Sequence, residues 1–235
     1  MRDAGHQINT VYGDGTINAT RRGDINVSGQ PQAQRPATRT AAADQRIRVL
    51  MLAANPVSSG RLAIDEEARQ IGERLRLADE RDAYDLITCW AVRPMDLLQY
   101  LNQHRPQIVH FSGHGDSAGQ IVLSAGDGRE QRVSADALGE LFRVANHRIR
   151  VVLFNACWSA GAVRAIGQHV DYVIGMNAPI SDEAATVFAA AFYLALGFSC
   201  PVPQAFDQAV AALAVHGLAE RHIPQLLGRL TEGPR

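Results

Sequence analysis

The sequence contains no lysine: all 23 basic residues among its 235 are arginines, and 24 acidic residues bring the formal net charge to −1. The absence of lysine excludes a catalytic or Schiff-base lysine and the lysine of a phosphate-binding P-loop. Because the charges nearly cancel, there is no bulk attraction to nucleic acid or to an anionic membrane surface. We therefore expect no nucleic acid and no membrane as partners.

Cysteine is scarce as well: the sequence contains three, Cys89, Cys157 and Cys200. Three widely spaced cysteines predict neither a disulfide framework nor a structural zinc site, so we expect no metal and a reducing, cytoplasmic compartment. The N-terminus carries no apolar secretory segment. The longest apolar run, residues 184–198, is shorter than a membrane span and predicts a buried helix. A strict G-x-G-x-x-G dinucleotide-binding motif is absent too, which argues against a nucleotide cofactor.

The first 45 residues differ in composition from the rest. Residues 1–29 are rich in Gly, Asn, Thr and Asp, and an Ile-Asn pair recurs at positions 8, 17 and 25. Glycines typical of turns separate short segments in which polar and apolar residues alternate, such as 16–20 and 24–28. This alternation is typical of strands. Residues 30–45 have the composition of a linker. The segment is either a disordered tail or a tag that pairs its strands with those of other copies, and three degenerate repeats do not decide between the two.

From residue 46 onward, apolar strands alternate with amphipathic helices. The sequence predicts strands at 46–54, 85–92, 107–112, 150–155 and 171–176, a hairpin at 120–124 and 131–133, and closing helices at 181–196 and 203–215. This order predicts an α/β fold in which a mostly parallel sheet lies between helical layers. In such folds ligands bind at the carboxyl ends of the strands. We divide the chain into a repeat segment, 1–29, a linker, 30–45, and one domain, 46–235.

Two of the predicted strands end in residues that carry chemistry. The third runs into Ser-Gly-His-Gly, residues 112–115, and the fourth into Asn-Ala-Cys-Trp-Ser, residues 155–159. Because both segments lie at the carboxyl edge of the sheet, His114 and Cys157 can face one cleft. A thiol beside a base is a nucleophile, and a histidine can protonate a departing amine. The glycines that flank His114 would let a substrate backbone approach and would free an N–H for an oxyanion.

In this order and context, the His-Gly and Ala-Cys strand ends resemble the signature of the caspase-like cysteine peptidases, and the sequence is most similar to their bacterial CHAT-domain branch. Further similar stretches are VLMLAANP (49–56), WAVRPMDL (90–97), IVHFSGHG (108–115), LFNACWS (153–159), HVDYVIG (169–175) and the helix over 181–197. The resemblance covers about residues 46–215. It implies a caspase-hemoglobinase-like three-layer α/β/α sandwich with a mostly parallel central sheet.

The resemblance also implies roles for the site residues. Cys157 would attack a peptide carbonyl and form a thioester, and His114 would give a proton to the leaving amine. The backbone at Gly113, Gly115 and Cys157 would stabilise the oxyanion. A third triad residue is neither required nor evident in the sequence, and no cofactor is implied.

Substrate selection in this family depends partly on the segment after the fifth strand, which helps to build the pocket for the residue before the scissile bond. Asp182 would select Arg or Lys there, although a helix N-cap is the favoured use of Ser181 or Asp182. Asn155 and Ser159, which flank the nucleophile, are the other candidate substrate-binding residues. His110, inside the third strand, is predicted to be a hydrogen-bonded core residue.

The leading hypothesis is a cysteine endopeptidase that cleaves protein substrates through a His114–Cys157 dyad. By the resemblance, it is an effector in a bacterial defence or cell-death system, with the N-terminal repeat binding a sensor or a second copy. The alternative is a catalytically silent caspase-like adaptor that acts by protein–protein interaction, against which the intact dyad argues. A small-molecule binder of the flavodoxin kind is disfavoured because no nucleotide motif occurs.

Overall fold

The computed structural model describes residues 46–145 and 148–228 in full and, nearer the N-terminus, the backbone of the strands at 9–12, 15–19 and 25–28. The chain divides into two units, residues 1–44 and 45–235. The first unit contains an antiparallel meander of β1 (Asn9–Tyr12), β2 (Gly15–Ala19) and β3 (Ile25–Ser28). β2 and β3 match the two predicted alternating segments to within one residue. The predicted linker lies outside the described residues.

The second unit alternates strands and helices. Its strands are β4 (Ile47–Ala54), β5 (Tyr84–Cys89), β6 (Ile108–Gly113), β7 (Ile121–Ser124), β8 (Glu130–Val133), β9 (Val151–Asn155), β10 (Tyr172–Met176) and β11 (Pro224–Gly228). Its helices are α1 (Ile64–Leu77), α2 (Pro94–His104), α3 (Ala135–Ala145), α4 (Ala160–Ile166), α5 (Asp182–Gly197) and α6 (Val202–Val215). Short 3-10 turns lie at Arg81–Ala83 and Ala219–His222.

The central sheet has six strands in the order β11-β10-β9-β6-β4-β5. β10, β9, β6, β4 and β5 are parallel, and β11 joins β10 in the antiparallel sense. β7 and β8 form a separate hairpin. β6 and β9 are therefore adjacent central strands whose carboxyl ends meet at one edge.

Alternate residues of the central strands are buried on opposite faces of the sheet, as expected for a strand covered on both sides. On β4, Val49 and Met51 pack with α1, α5 and α6 in one hydrophobic cluster. Leu50 and Leu52 pack with α2, α3 and α4 in a second cluster. The predicted three-layer α/β/α sandwich with a mostly parallel sheet is thus confirmed.

Differences from the sequence prediction lie at the ends of elements. β5 stops at Cys89 rather than at Val92. β11 was not predicted at all. The apolar run at 184–198 forms most of α5, as predicted, and much of it is buried.

Within the part of the chain that the structure describes, no helix combines the length and apolar character needed to cross a membrane.

Candidate active site

His114 and Cys157 follow the ends of neighbouring strands and line one cleft. β6 ends directly before His114, and β9 ends two residues before Cys157. Since these strands are parallel neighbours, the sheet brings both side chains to the same edge. The cleft is small, with a volume of about 40 Å³. It is lined by Leu62, Ala63, Ile64, Glu67, Ser112, Gly113, His114, Asn155, Ala156, Cys157, Ile180, Asp182, Ala185 and Thr186.

The imidazole of His114 is held by a backbone carbonyl. Its Nε2 lies 2.6 Å from the carbonyl oxygen of Gly60, in the loop that precedes α1. A carbonyl oxygen can only accept, so Nε2 carries the hydrogen and Nδ1 is the nitrogen free to take up a proton. The structure thus shows a backbone group that orients His114, which the sequence does not reveal. A backbone carbonyl has no signature in sequence.

The thiol of Cys157 is half-buried, and its Sγ lies 4.0 Å from the carbonyl oxygen of Ile180. The next residue, Trp158, has φ of 57°, in the left-handed region that a residue with a Cβ rarely adopts. Such a conformation costs about 1–2 kcal/mol and persists only where the surroundings fix it. The backbone therefore turns sharply immediately after Cys157, before α4 begins at Ala160.

The two glycines beside His114 are required by the protein's own backbone. A Cβ at Gly115 would lie 2.0 Å from the carbonyl oxygen of Cys157, and a Cβ at Gly113 would lie 2.7 Å from that of Ala54. Both distances are far below any real contact, so close packing of main chain explains these glycines. The sequence had suggested the approach of a substrate as their reason.

The amide of Gly115 is left out of the local backbone pairing. An antiparallel bridge joins Gly115 to Ile121, but its two hydrogen bonds are donated by the amides of Asp116 and Val122. Gly115 therefore takes part in the bridge without using its own N–H. Gly113 differs, because it is a strand residue that pairs in register with Ala54 of β4.

Ser159, which the sequence suggests as a substrate-binding residue, does not line the cleft. Its side chain is buried, and the hydroxyl accepts from the amide of Met176 at 2.9 Å and donates to the carbonyl of Phe154 at 3.4 Å. These bonds tie the turn after β9 to β10. The hydroxyl is already used within the protein, which explains why it does not face a ligand.

A buried carboxylate lies beneath the dyad, and the sequence analysis missed it. Glu67 of α1 accepts from the hydroxyl of Ser112 and from the amide of Asn155, each at 2.5 Å. The Asn155 amide also donates to the carbonyl of Ala185 at 3.0 Å. Asn155 is therefore part of the cleft floor, with its amide hydrogens committed to the protein. The available signal was the position of Glu67, three residues after Ile64, on the apolar stripe of α1.

His110 extends this network into the core. It is completely buried, and its Nδ1 lies 3.1 Å from the hydroxyl of Tyr193. Burial raises the pKa of Tyr193 well above its usual value, with a smaller effect of the charge on Glu67, so Tyr193 keeps its proton and donates. His110 Nε2 lies 2.9 Å from Glu67 Oε1, within ion-pair distance although outside hydrogen-bond geometry. The prediction of a hydrogen-bonded core histidine is confirmed.

Asp182 lies at the rim of the cleft, and its neighbour is the helix cap. The hydroxyl of Ser181 accepts from the amide of Ala184 at 3.2 Å, which is the N-cap bond of α5. The carboxylate of Asp182 accepts from the amide of Ala63 at 3.0 Å, across the cleft from α5. Asp182 is exposed. It thus places a negative charge beside the dyad.

Among the described residues, no group of three or more His, Cys, Asp or Glu side chains is arranged to hold a metal ion. Cys89 and Cys200 lie away from the cleft. Burial, together with the charge on Asp96, raises the pKa of the Cys89 thiol.

Comparison with known proteins gives a family. The family model described as the CHAT domain matches residues 18–222. A Roc-COR-CHAT protease from an unidentified prokaryote is 27% identical over 167 residues, which are 68% of this chain and 16% of that protein. This chain thus spans about a sixth of the length of that relative.

Two solved structures show the same fold. Caspase-1 from Spodoptera frugiperda has a TM-score of 0.54 at 10% identity, covering 80% of this chain and 87% of the caspase chain. A secreted C11 cysteine protease from Bacteroides thetaiotaomicron, solved with an irreversible peptide inhibitor, has a TM-score of 0.51 at 13% identity, covering 77% and 66%. Because the family model covers most of the sequence and includes both strand ends of the cleft, the chain belongs to the CHAT-domain family.

Proposed function

We propose that this chain is a cysteine endopeptidase that cleaves protein substrates with His114 and Cys157. The observation that carries the proposal is their shared cleft, in which the imidazole is oriented by the Gly60 carbonyl and leaves Nδ1 free. Two of the proteins that it resembles, a Roc-COR-CHAT protease in sequence and a C11 cysteine protease in fold, support the same chemistry. An oriented histidine beside a thiol is the arrangement that nucleophilic catalysis by cysteine needs.

The proposed reaction has two halves. In the first, the thiol proton passes to Nδ1 of His114, the sulfur of Cys157 bonds to the scissile carbonyl carbon, and the carbon–nitrogen bond breaks as Nδ1 protonates the leaving amine. In the second, water attacks the thioester while Nδ1 takes up its proton. The carbon–sulfur bond then breaks, Nδ1 returns that proton to the sulfur of Cys157 to restore the thiol, and the carboxylic acid product leaves. Throughout, the Gly60 carbonyl keeps Nε2 protonated and the ring in place.

The amides of Gly115 and Cys157 are the proposed oxyanion donors. The Gly115 amide is spared by the local bridge, and its Cα packs directly against the carbonyl of Cys157, so both amides belong to one compact piece of backbone. Donors that are fixed before the reaction stabilise the developing negative charge without reorganisation. Gly113 contributes the strand end that places this segment.

We assign substrates with Arg or Lys before the scissile bond. Asp182 sets a carboxylate at the rim of the cleft, and Glu67 sets a second one in its floor. Asp182 is the group that contacts substrate in this proposal, because it is exposed whereas both oxygens of Glu67 already accept hydrogen bonds. A guanidinium or ammonium group would complement that charge.

Peptide-library cleavage tests the endopeptidase proposal. We expect the wild type to cut after Arg or Lys, and Cys157→Ala and His114→Ala to lose at least about 10³-fold in kcat/KM, as removal of a nucleophile or its base does elsewhere. The matched control is Cys200→Ala, a thiol outside the cleft, which should cut like the wild type.

Retained cleavage in Cys157→Ala would overturn the nucleophile assignment. Failure of a thiol-directed peptidyl probe to label Cys157 in the wild type would favour the adaptor function instead. A library profile without preference for Arg or Lys would remove the assignment of Asp182 and leave the dyad untouched.

We further propose a cytoplasmic effector role in a bacterial defence or cell-death system, with the N-terminal segment as a self-assembly tag that brings copies together or to a sensor. The register of β1, β2 and β3 supports the tag, since it aligns Asn9 with Asn18 and Asn18 with Asn26 in one row across the meander. Rows of asparagine suit stacked strands from several chains. Loss of assembly on deletion of residues 1–44 is the test.

A further inference from the structure

We infer that Glu67 is a positioning residue: its buried carboxylate ties the ends of β6 and β9 together and so sets the separation of His114 and Cys157. The inference rests on the proposed function of the dyad and adds a residue to it. It comes from the hydrogen bonds beneath the cleft, from the register of the two strands and from the burial of Glu67.

The two bonds to Glu67 come from residues that face each other across the sheet. Ser112 and Asn155 are in-register partners on the parallel strands β6 and β9. Ser112 lies two residues before His114, and Asn155 lies two residues before Cys157. Each oxygen of the Glu67 carboxylate takes one of them, so a single side chain bridges the two strand ends that lead into the dyad.

The loop that precedes α1 also contacts His114. The loop before α1 supplies the Gly60 carbonyl to Nε2 of His114, and the amide of Ala63, just before the helix, is held by Asp182 of α5. α1 is thus connected to the histidine through its preceding loop and to both strand ends through Glu67. A small shift of this helix would be transmitted to both members of the dyad.

Glu67 is placed to support the site and not to contact substrate. Its side chain is only 5% exposed, and both oxygens are occupied by donors from the protein. Charge-assisted hydrogen bonds to a buried carboxylate are strong, which suits a rigid support.

The test compares Glu67→Ala and Glu67→Gln with the wild type and with Glu73→Gln as control. Glu73 lies on the same helix, half-exposed and paired with Arg69. We measure kcat and KM on the peptide that the library selects. We also measure the alkylation rate of Cys157 by iodoacetamide at pH 7 by mass spectrometry, with Cys89 as internal reference.

We expect Glu67→Ala to lower kcat about 10²-fold with KM unchanged, because misplacement of reacting groups by about 1 Å costs that much. Its alkylation rate at Cys157 should approach that of His114→Ala while Cys89 reacts as in the wild type. Glu67→Gln keeps an acceptor for Asn155 and a donor toward Ser112, so it should recover most of the lost kcat.

Glu67→Ala empties a buried polar site and can weaken the fold, so Ser112→Ala, which removes one arm of the bridge, is measured in parallel. We expect a smaller loss of kcat in the same direction, with a smaller fall in Tm than in Glu67→Ala, because Ser112→Ala removes one donor and leaves the Asn155 bond to Glu67 in place. Wild-type kcat and alkylation rates in both Glu67→Ala and Ser112→Ala would overturn the inference, and so would equal losses in Glu67→Ala and Glu67→Gln. A changed preference for the residue before the scissile bond in Glu67→Gln would overturn it in favour of substrate recognition. Alkylation needs no substrate, so the inference stays testable even if Cys157→Ala still cleaves.

Discussion

Because Gly115 has no side chain, the backbone segments that carry His114 and Cys157 can pack against each other. Its Cα packs against the carbonyl of Cys157, where a Cβ would lie 2.0 Å from the oxygen. Backbone cannot yield to such an overlap as a flexible side chain can. Any larger residue at this position must therefore push the segment that carries His114 away from the segment that carries Cys157.

Gly115→Ala is accordingly expected to reduce kcat/KM about 10²-fold, the loss typical of a displacement of about 1 Å at a reacting centre. Gly126→Ala is the matched control, because a Cβ at Gly126 meets nothing closer than 4.0 Å. The measurement is the kcat/KM of peptide cleavage by both variants, and the Tm of each variant checks that it is folded. Wild-type cleavage by Gly115→Ala would show that this contact does not set the geometry of the dyad.

At the residue scale, what the sequence could predict depends on whether a side chain or a backbone group is involved. His114 and Cys157 stand at strand ends that apolar periodicity locates, so their common cleft was predictable. The Gly60 carbonyl was not, because any residue provides a carbonyl. Glu67 was accessible in principle, since an acidic residue on the apolar stripe of α1 must find buried donors. The burial of Ser159 was not predictable, because proximity in sequence to Cys157 says nothing about which way a turn directs its side chain.

At the scale of elements, the central strands were predictable and the edge was not. β4, β6 and β9 are buried on both faces, so they read as continuous apolar runs. β11 is a five-residue edge strand that begins with Pro224 and is partly exposed. Proline is tolerated at the first residue of a strand, but a proline in a short segment argues against predicting a strand there. Only the pairing of β11 with β10 defines it.

The turn between β9 and α4 carries Cys157, the proposed nucleophile, and Ser159 holds this turn to β10. Ser159→Ala would leave the buried amide of Met176 without its acceptor, which we expect to lower the free energy of unfolding by about 1–3 kcal/mol. KM should not change, because Ser159 does not line the cleft. Urea denaturation and peptide kinetics provide the two measurements, with exposed Ser117→Ala as control. A raised KM in Ser159→Ala with an unchanged free energy of unfolding would identify Ser159 as a substrate-binding residue.

At the scale of the whole molecule, the two units differ in what can stabilise them. Both hydrophobic clusters of the second unit are built entirely from residues after 45, and they cover both faces of its six-stranded sheet. The first unit has three strands of four or five residues. Strands that short bury little apolar area by themselves, which is the physical reason for the proposal that they pair with strands of other copies.

Deletion of residues 1–44 should therefore abolish self-assembly while the second unit stays folded. We expect the shortened chain to keep its Tm within about 3 °C of the full chain, the shift that about 1 kcal/mol produces in a domain of this size. Its cleavage of a short peptide at high protein concentration should persist, since the cleft lies wholly in the second unit. Light scattering should show that the full chain forms larger species as concentration rises and that the shortened chain does not. Identical scattering by the two chains would exclude self-assembly through the repeat, whereas a large fall in Tm would show that the first unit stabilises the second.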